Sequence, residues 1–362
     1  MAVDPRRFPG LFFLHVLLIV LLLAVACAAV ALRAGTGRAG RSGTLVLPDD
    51  LREATVTEAQ ASLGPLSGPP SRPISLDADL AEIGYKLPDE ANVYAVRVVE
   101  GPEGRVYQQF QAGGGALASD FWPASSIKVL AAVGALDFAR SIGFSGEATV
   151  RFDDGSPSRT LRSIYEPAIR NSSNYDYDLL VRIAGVDRLN EEFLTARNGF
   201  PVTALYRSYG GVELNESPAM IFEEGERRAY VPARTARREP ECPTGNCSNL
   251  FEMTESVRRI VMSDELPPDQ RFDLEPSDIK ALGGALLQAE GFFPKAVAGA
   301  LGSGAKIWSK PGDAVEHECL DVALVQSRAG KRFLLAASVP HSSGGCEALG
   351  RLARGVLELL AA

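Results

Sequence analysis

The stretch that decides the fold is Phe121–Ala139, FWPASSIKVLAAVGALDFA. Pro123 and the serines after it are typical of a helix start, and the run 127–139 carries strong helix formers with almost no charge, which predicts a buried helix. Ser125 and Lys128, three residues apart, lie on one face of such a helix, so the amine can take the hydroxyl proton if burial lowers its pKa. The positive end of the helix favours an oxyanion on the attacked carbonyl.

The S-x-x-K pattern also occurs at Ser277 with Lys280 and at Ser303 with Lys306, the second pair in a Gly-rich loop. The pattern alone therefore says little, and it is equally compatible with a helix cap and an incidental lysine. Ser125 differs because it starts a capped apolar helix and has two companion motifs downstream.

The first companion is Ser172 with Asn174, two residues apart in AIRNSSNYDYDLL. They could relay a proton and hold a substrate amide, or simply cap the helix that follows. The second is Lys310 with Gly312, at the end of IWSKPG. A lysine beside a small residue at a strand edge can bind an anion and let a substrate backbone approach, although a solvated strand-end lysine is the ordinary interpretation.

Strand-like runs stand at both ends of the region that follows residue 76. ANVYAVRVVE and RVYQQFQ, separated by GPEG, predict a hairpin, and three runs near the end predict strands, at 307–310, 320–326 and 333–340. The sequence between them is mostly helical, and CEALGRLARGVLELLAA predicts a C-terminal helix. This order predicts one sheet built from both chain ends.

In the order S-x-x-K, S-x-N and K-x-G, the motifs resemble those of the class A beta-lactamases and the wider penicillin-interacting serine hydrolases, over about residues 76 to 362. DLLVRIAGVDRLNEEFL and GKRFLLAASV also resemble a helix and a late strand of that family. The resemblance implies an α/β (α+β) fold, with a five-stranded antiparallel sheet facing an all-helical subdomain. It also implies roles for these residues: Ser125 as the acylated nucleophile, Lys128 as its base, Ser172 as proton relay, Asn174 and Gly312 in substrate binding, Lys310 as an electrostatic anchor, and the N–H groups of Ser125 and Asp313 as an oxyanion hole.

Two departures bear on the substrate. The family carries an E-x-x-L-N segment whose glutamate activates the deacylating water, but the similar segment VTALYRSYGGVELNES puts Gly211 at that place. Glu213 or Glu216 could substitute only after a loop shift, so we expect slow hydrolysis of an acyl-enzyme. Pro311 stands where the family has Thr or Ser, and we expect Asp313 to repel an anion, which makes a neutral ester or amide the second candidate substrate.

The composition excludes some functions. The net charge of −8 over 362 residues argues against nucleic acid as a partner. The three histidines are widely separated, so the sequence indicates no zinc site, and no motif calls for a cofactor. The sequence does not predict an oligomeric state.

The N-terminus predicts a membrane segment. Residues 11–32 are apolar except for His15 and are long enough to span a bilayer, although a cleaved signal peptide is the alternative. We therefore divide the chain into an anchor or signal segment (1–33), a Gly/Pro/Ser-rich tether (34–75) and a hydrolase domain (76–362).

Four cysteines lie beyond the membrane segment, and they allow three pairings. CPTGNC favours a small loop closed by Cys242 and Cys247, and pairing of the last two strands would bring Cys319 near Cys346. Two disulfides indicate an oxidising compartment, hence a domain in the periplasm or outside the cell.

A segment of mixed charge at about 217–248 looks like an insertion beside the site, and it is a substrate lid, a partner-binding loop or an inert excursion. The sequence thus predicts a membrane-tethered, extracytoplasmic serine hydrolase acting on a small-molecule or peptidoglycan-type acyl substrate. The alternatives are a non-catalytic penicillin-interacting sensor and an esterase.

Overall fold

The computed structural model describes residues 73–101, 104–118, 121–315 and 317–362. The predicted membrane segment and nearly all of the predicted tether lie outside these residues. Within the described part of the chain, no helix is long and apolar enough to cross a bilayer. Every helix and strand named below lies in one compact unit, which leaves out Asp153–Gly155.

The main sheet takes strands from both ends of the chain, as predicted. In spatial order the strands are β1 (Ile74–Ser75), β3 (Gly104–Ala112), β2 (Asn92–Gly101), β14 (Arg332–Pro340), β13 (Glu318–Gln326) and β12 (Lys306–Ala314). All neighbours are antiparallel except β1 and β3. The five-stranded antiparallel sheet is confirmed, with a short parallel strand added at its edge. β1 starts two residues before the predicted domain, whose boundaries stay a prediction.

Helices cover both faces of this sheet. They are α1 (Asp77–Glu82), α2 (Lys128–Ser141), α3 (Leu161–Arg170), α4 (Asn174–Ala184), α5 (Leu250–Val261), α6 (Pro276–Gln288), α7 (Pro294–Leu301) and α8 (Gly345–Ala361). Successive side chains of a strand point to opposite faces of the sheet and so contribute to two cores. Tyr94 and Val96 pack with α2 to α6, whereas Val93 and Ala95 pack with α1, α7 and α8. The larger core therefore encloses α2, the helix predicted to be buried.

The expectation of an all-helical subdomain is wrong. A second sheet has the order β5 (Arg159–Thr160), β4 (Thr149–Phe152), β8 (Met220–Glu224) and β9 (Arg227–Val231). Two short pairs join β6 (Ala204–Leu205) to β11 (Asn246–Cys247), and β7 (Glu216–Ser217) to β10 (Arg234–Thr235). These strands have at most five residues, too few to show a clear alternation. A hairpin turning at Gly225, with φ +61°, thus lies inside the predicted insertion.

Both predicted disulfides are confirmed. Cys242 is bonded to Cys247 across Cα atoms 5.8 Å apart. Cys319, at the start of β13, is bonded to Cys346 in the first turn of α8, with Cα atoms 5.0 Å apart. The second bond ties the last helix to the strand next to β12, the strand that carries Lys310.

Candidate active site

Ser125 lies in a short 3₁₀ turn, Ala124–Ile127, directly before α2. Ala124 has φ 43°, a strained backbone angle for a residue with a side chain. Gly312 on β12 faces this turn, and a Cβ there would lie 2.9 Å from the carbonyl oxygen of Pro123. The glycine thus permits the close packing of the strand against the turn. Within the described residues, the half-buried Ser125 side chain has no hydrogen-bond partner.

Lys128 is fully buried at the start of α2. Its amine donates to the backbone oxygen of Ser172, to Ser172 Oγ at 3.3 Å and to Asn174 Oδ1 at 2.5 Å. Burial lowers its pKa to about 8, against the opposing charges of Asp178 and Asp176. The expectation that burial lowers the pKa of this lysine agrees with its surroundings.

Lys310 is also fully buried, so it is not a solvated strand-end lysine. Its amine donates to Ser172 Oγ at 2.9 Å and to the carbonyl oxygen of Pro311 at 3.1 Å. Burial and the nearby Lys128 charge lower its pKa to about 7, while Asp321 opposes the shift. Pro311 is tolerated because β12 is an edge strand.

Ser172 joins the two amines. It adopts φ 56°, and the capping of α4 is left to Ser173, whose side chain accepts from the backbone N–H of Asp176. An ammonium group can only donate, so the Ser172 hydroxyl can pass its proton only to an amine that is neutral. With both lysine pKa values near neutrality, the hydroxyl is placed to move a proton between them.

Asp313 does not face Lys310, contrary to our expectation of repulsion. Neighbouring positions alternate along a strand, so Lys310 and Gly312 share one face of β12 and Asp313 lies on the other. Its carboxylate lies 2.9 Å from His341 Nε2. Repulsion by Asp313 therefore gives no reason to exclude an anionic substrate.

Asp313 and His341 lie beside the second disulfide. Donor atoms of Asp313, Cys319, His341 and Cys346 lie within 4.8 Å of one another. The sequence did not predict this cluster, because its members, like the histidines, lie far apart along the chain. The disulfide occupies both sulfurs, and the two remaining ligands are fewer than the four of a structural zinc site.

Asp178 was not among the predicted site residues, yet it holds the loop 208–212 against the site. The fully buried carboxylate accepts hydrogen bonds from Ser208 Oγ at 2.6 Å, from the N–H of Tyr209 at 2.9 Å and from the N–H of Gly210 at 2.8 Å. Its position four residues after Asn174, on the same face of α4, was a signal that could have found it.

Tyr209, which was also not among the predicted site residues, packs beside Lys128. Its ring centre lies 5.6 Å from Lys128 Nζ, and its hydroxyl donates to the carbonyl oxygen of Ala124 at 2.9 Å and accepts from Trp122 Nε1 at 3.2 Å. Burial raises the pKa of Tyr209, so its phenol is a donor and not a base at neutral pH. The loop 208–212 therefore places an aromatic ring beside Lys128.

The loop places no carboxylate beside Lys128 in addition to the ring of Tyr209. Gly211, at the position of the family glutamate, is exposed with φ +80°, and a Cβ added there would meet no atom within 4 Å. Glu213 and Glu216 are exposed. The serines of the two other S-x-x-K matches, Ser277 and Ser303, are exposed as well.

No protein-family model and no curated protein matches the chain. Solved structures do. A class A beta-lactamase from Mycobacterium abscessus has a TM-score of 0.52 and 18% identity, covering 79% of this chain and 99% of its own. The TLA-3 extended-spectrum beta-lactamase has a TM-score of 0.56 at 13% identity over 79% and 98%. PBP-A has a TM-score of 0.54 at 16% identity over 81% and 98%. The chain therefore has the fold of the class A beta-lactamases and PBP-A, as its three motifs predicted.

Proposed function

We propose that this protein is a serine hydrolase that forms an acyl-enzyme on Ser125. The observation that supports the proposal best is the meeting of two buried amines, Lys128 and Lys310, at the hydroxyl of Ser172, with the half-buried Ser125 three residues before Lys128. Perturbed groups gathered beside a nucleophile are typical of active sites.

With a pKa of about 8, roughly a tenth of Lys128 is neutral at pH 7. In the proposed step, the neutral amine takes the proton of Ser125 as Oγ bonds to the substrate carbonyl carbon. The tetrahedral oxyanion is held by the N–H groups of Ser125 and Asp313, as the family resemblance implies. Ser172 then passes the proton from Lys128 to the leaving group, whose bond to the acyl carbon breaks.

The proposed substrate is an amide with a nearby carboxylate, of the beta-lactam or cell-wall peptide kind. A protonated Lys310 supplies the anchor for that carboxylate, although Pro311 provides no hydroxyl to assist it. A neutral ester is the second candidate, because it needs only Ser125 and Lys128. Since Gly211 replaces the family glutamate, we propose that the acyl-enzyme hydrolyses slowly.

We further propose that residues 11–32 anchor the protein in a bacterial inner membrane, with the catalytic domain in the periplasm or outside the cell. The two disulfides support this placement, because disulfides persist in oxidising compartments. Secretion after cleavage of that segment is the alternative, and the mass of the mature protein would distinguish the two.

The test is intact-mass analysis of the full-length protein in a mild detergent during incubation with a penicillin. We expect a long-lived adduct that Ser125→Ala abolishes. Ser277→Ala is the matched control, because it removes the serine of another S-x-x-K match at an exposed position. Failure of both a penicillin and a fluorophosphonate to label Ser125 would reject the acyl-enzyme and leave a non-catalytic fold. A stable adduct with no turnover of any ester or amide would favour the sensor.

A further inference from the structure

Four side chains of metal-binding type meet where β12 ends and α8 begins. The donor atoms that lie within 4.8 Å of one another belong to Asp313, Cys319, His341 and Cys346. In this structure the two sulfurs are bonded to each other. Breaking that bond by reduction gives two thiols beside one imidazole and one carboxylate. All three groups are zinc ligands, and four ligands complete a tetrahedral zinc site.

The distances within this cluster fit a zinc ion. Cys319 Sγ lies 3.5 Å from His341 Nε2. Because Zn–S bonds are about 2.3 Å and Zn–N bonds about 2.0 Å, a sulfur and a nitrogen on one tetrahedral zinc lie about 3.5 Å apart. Asp313 Oδ1 lies 2.9 Å from the same nitrogen and must move away by about 0.5 Å to admit the ion. The two sulfurs must part to about 3.8 Å once their bond is broken.

The fold holds both cysteines in place by contacts other than the disulfide. Cys319 is fully buried in β13, which is paired with β12 on one side and β14 on the other. Its partner in the register of β12 is Asp313. Cys346 stays beside them because α8 packs on the sheet through three fully buried side chains, those of Leu349, Leu352 and Val356. We therefore expect the four ligands to remain together after reduction.

His341 is likewise placed by its backbone and by a glycine. Its N–H donates to the carbonyl oxygen of His317 at 2.8 Å. Its ring lies against Gly345, where an added Cβ would come within 2.8 Å of Nδ1. The missing side chain thus gives the imidazole room, and Nε2 faces Asp313 and Cys319. The imidazole and the carboxylate are partly exposed, so an ion can reach them from solvent.

We propose that the reduced form of this cluster binds zinc through Asp313, Cys319, His341 and Cys346. A dithiol is the reductant: it gives two electrons and two protons to the disulfide and becomes a disulfide itself. The two protein thiols release their protons as zinc binds. The disulfide and the zinc site are therefore alternative states of one cluster, and the redox state of the compartment selects between them.

The zinc site does not depend on the proposed acyl transfer, but it lies next to the candidate active site. Asp313 follows Gly312, which packs against the turn that carries Ser125. An ion on Asp313 would therefore hold the end of β12 one residue from that contact.

The test is titration of the full-length protein in detergent with Co²⁺, a spectroscopic substitute for zinc. The protein is first reduced with dithiothreitol, which is then removed without oxygen, and a thiol count checks the reduction. We expect a single equivalent of Co²⁺ to give the strong visible bands of a tetrahedral ion and the ultraviolet band of cobalt–thiolate bonds. Zinc should abolish both, and the oxidised protein should show neither. Absence of these bands from the reduced protein, or their presence in the oxidised protein, would overturn the proposal.

Two variants test the ligands that are not sulfur. Loss of a partner of a metal ligand typically lowers affinity 10–100-fold, so loss of a ligand itself in His341→Ala should weaken Co²⁺ binding by about tenfold or more. Asp313→Asn keeps the shape of the side chain and removes its charge, and it should also weaken binding. Both residues are partly exposed, so we expect both variants to fold. Unchanged Co²⁺ affinity in the two variants would refute this ligand set.

The two cysteine pairs provide the matched control. Cys319→Ser with Cys346→Ser should abolish the cobalt–thiolate band, although the reduced protein keeps Cys242 and Cys247. Cys242→Ser with Cys247→Ser should leave the titration unchanged, because no such cluster of ligands surrounds that pair within the described ranges. The opposite result would place the ion at Cys242 and Cys247 and refute the proposed site.

Discussion

The residues proposed to form the acyl-enzyme and the loop proposed to hydrolyse it differ in how completely their catalytic groups are in place. Lys128, Ser172 and Lys310 come from three separate elements, and both amines are buried and bonded to Ser172. Asp178 holds the loop 208–212, which turns an aromatic ring to Lys128, and the carboxylates of Glu213 and Glu216 that follow the loop are exposed. In the proposed reaction cycle, the residues for acylation are therefore assembled, whereas the loop presents an aromatic ring and no carboxylate to Lys128.

The largest effect should come from Lys128→Met, which keeps the length and burial of the side chain and removes the amine. Loss of a general base typically costs 10²–10⁴-fold, so we expect the rate of Ser125 acylation to fall by about 10³-fold. Rapid-quench mass spectrometry measures it, and thermal unfolding checks the fold.

Lys280→Met, at an exposed S-x-x-K match, should leave the acylation rate unchanged. An acylation rate for Lys128→Met within tenfold of that of the unmodified protein would show that another group takes the proton.

The pH dependence separates the two lysines. Acylation by a neutral substrate needs only a neutral Lys128, so its rate should rise tenfold per pH unit up to about 8 and then level off. A substrate with a carboxylate also needs Lys310 protonated, and that form is lost as the pH rises through about 7. Its rate should therefore rise below pH 7, stay flat to pH 8 and fall above it.

Benzylpenicillin and its methyl ester form a matched pair for this measurement, since only the ester lacks the carboxylate. Profiles of identical shape would show that Lys310 does not recognise the carboxylate. A profile for the ester that is flat below pH 8 would instead exclude Lys128 as the base.

The sequence predicted that Lys128, Ser172 and Lys310 come together, but it did not predict the contacts of the loop, for a physical reason. Ser125 and Lys128 are set by one helix, whose period fixes their spacing, and the companion motifs carry a fixed order. Tyr209 acts through contacts with α2 and with Trp122, 87 residues away in sequence, and no local pattern reports such contacts. The second sheet was missed likewise, because its strands are short and distant in the chain, like β4 and β8.

Tyr209→Phe should give a moderate effect that tests how the loop supports the nucleophile. The ring stays, but Ala124 O loses a donor and Trp122 Nε1 loses an acceptor, so we expect the free energy of unfolding to fall by about 1–2 kcal/mol. The turn that carries Ser125 should be less well fixed, which lowers the acylation rate at saturation by about tenfold and leaves substrate affinity unchanged.

Tyr206→Phe is the matched control, because it removes an exposed tyrosine hydroxyl that contacts Glu239, two residues before the same loop. Weaker substrate binding with an unchanged acylation rate would show that Tyr209 lines the substrate groove and does not position the turn.

The smallest effect should come from Gly211→Glu, which restores the residue type of the family glutamate. A side chain at this position starts from φ +80°, and its Cβ would meet no atom within 4 Å, so nothing holds the carboxylate in place. We therefore expect the lifetime of the penicillin adduct to change less than twofold and the free energy of unfolding to fall by about 1 kcal/mol. Gly211→Ala carries the same backbone strain without the carboxylate, so the difference between the two variants isolates the chemistry. Adduct hydrolysis at least tenfold faster in Gly211→Glu than in Gly211→Ala would mean that the loop can bring position 211 to the acyl group. The contrast between the two halves of the site would then rest on a single missing carboxylate and not on the path of the loop.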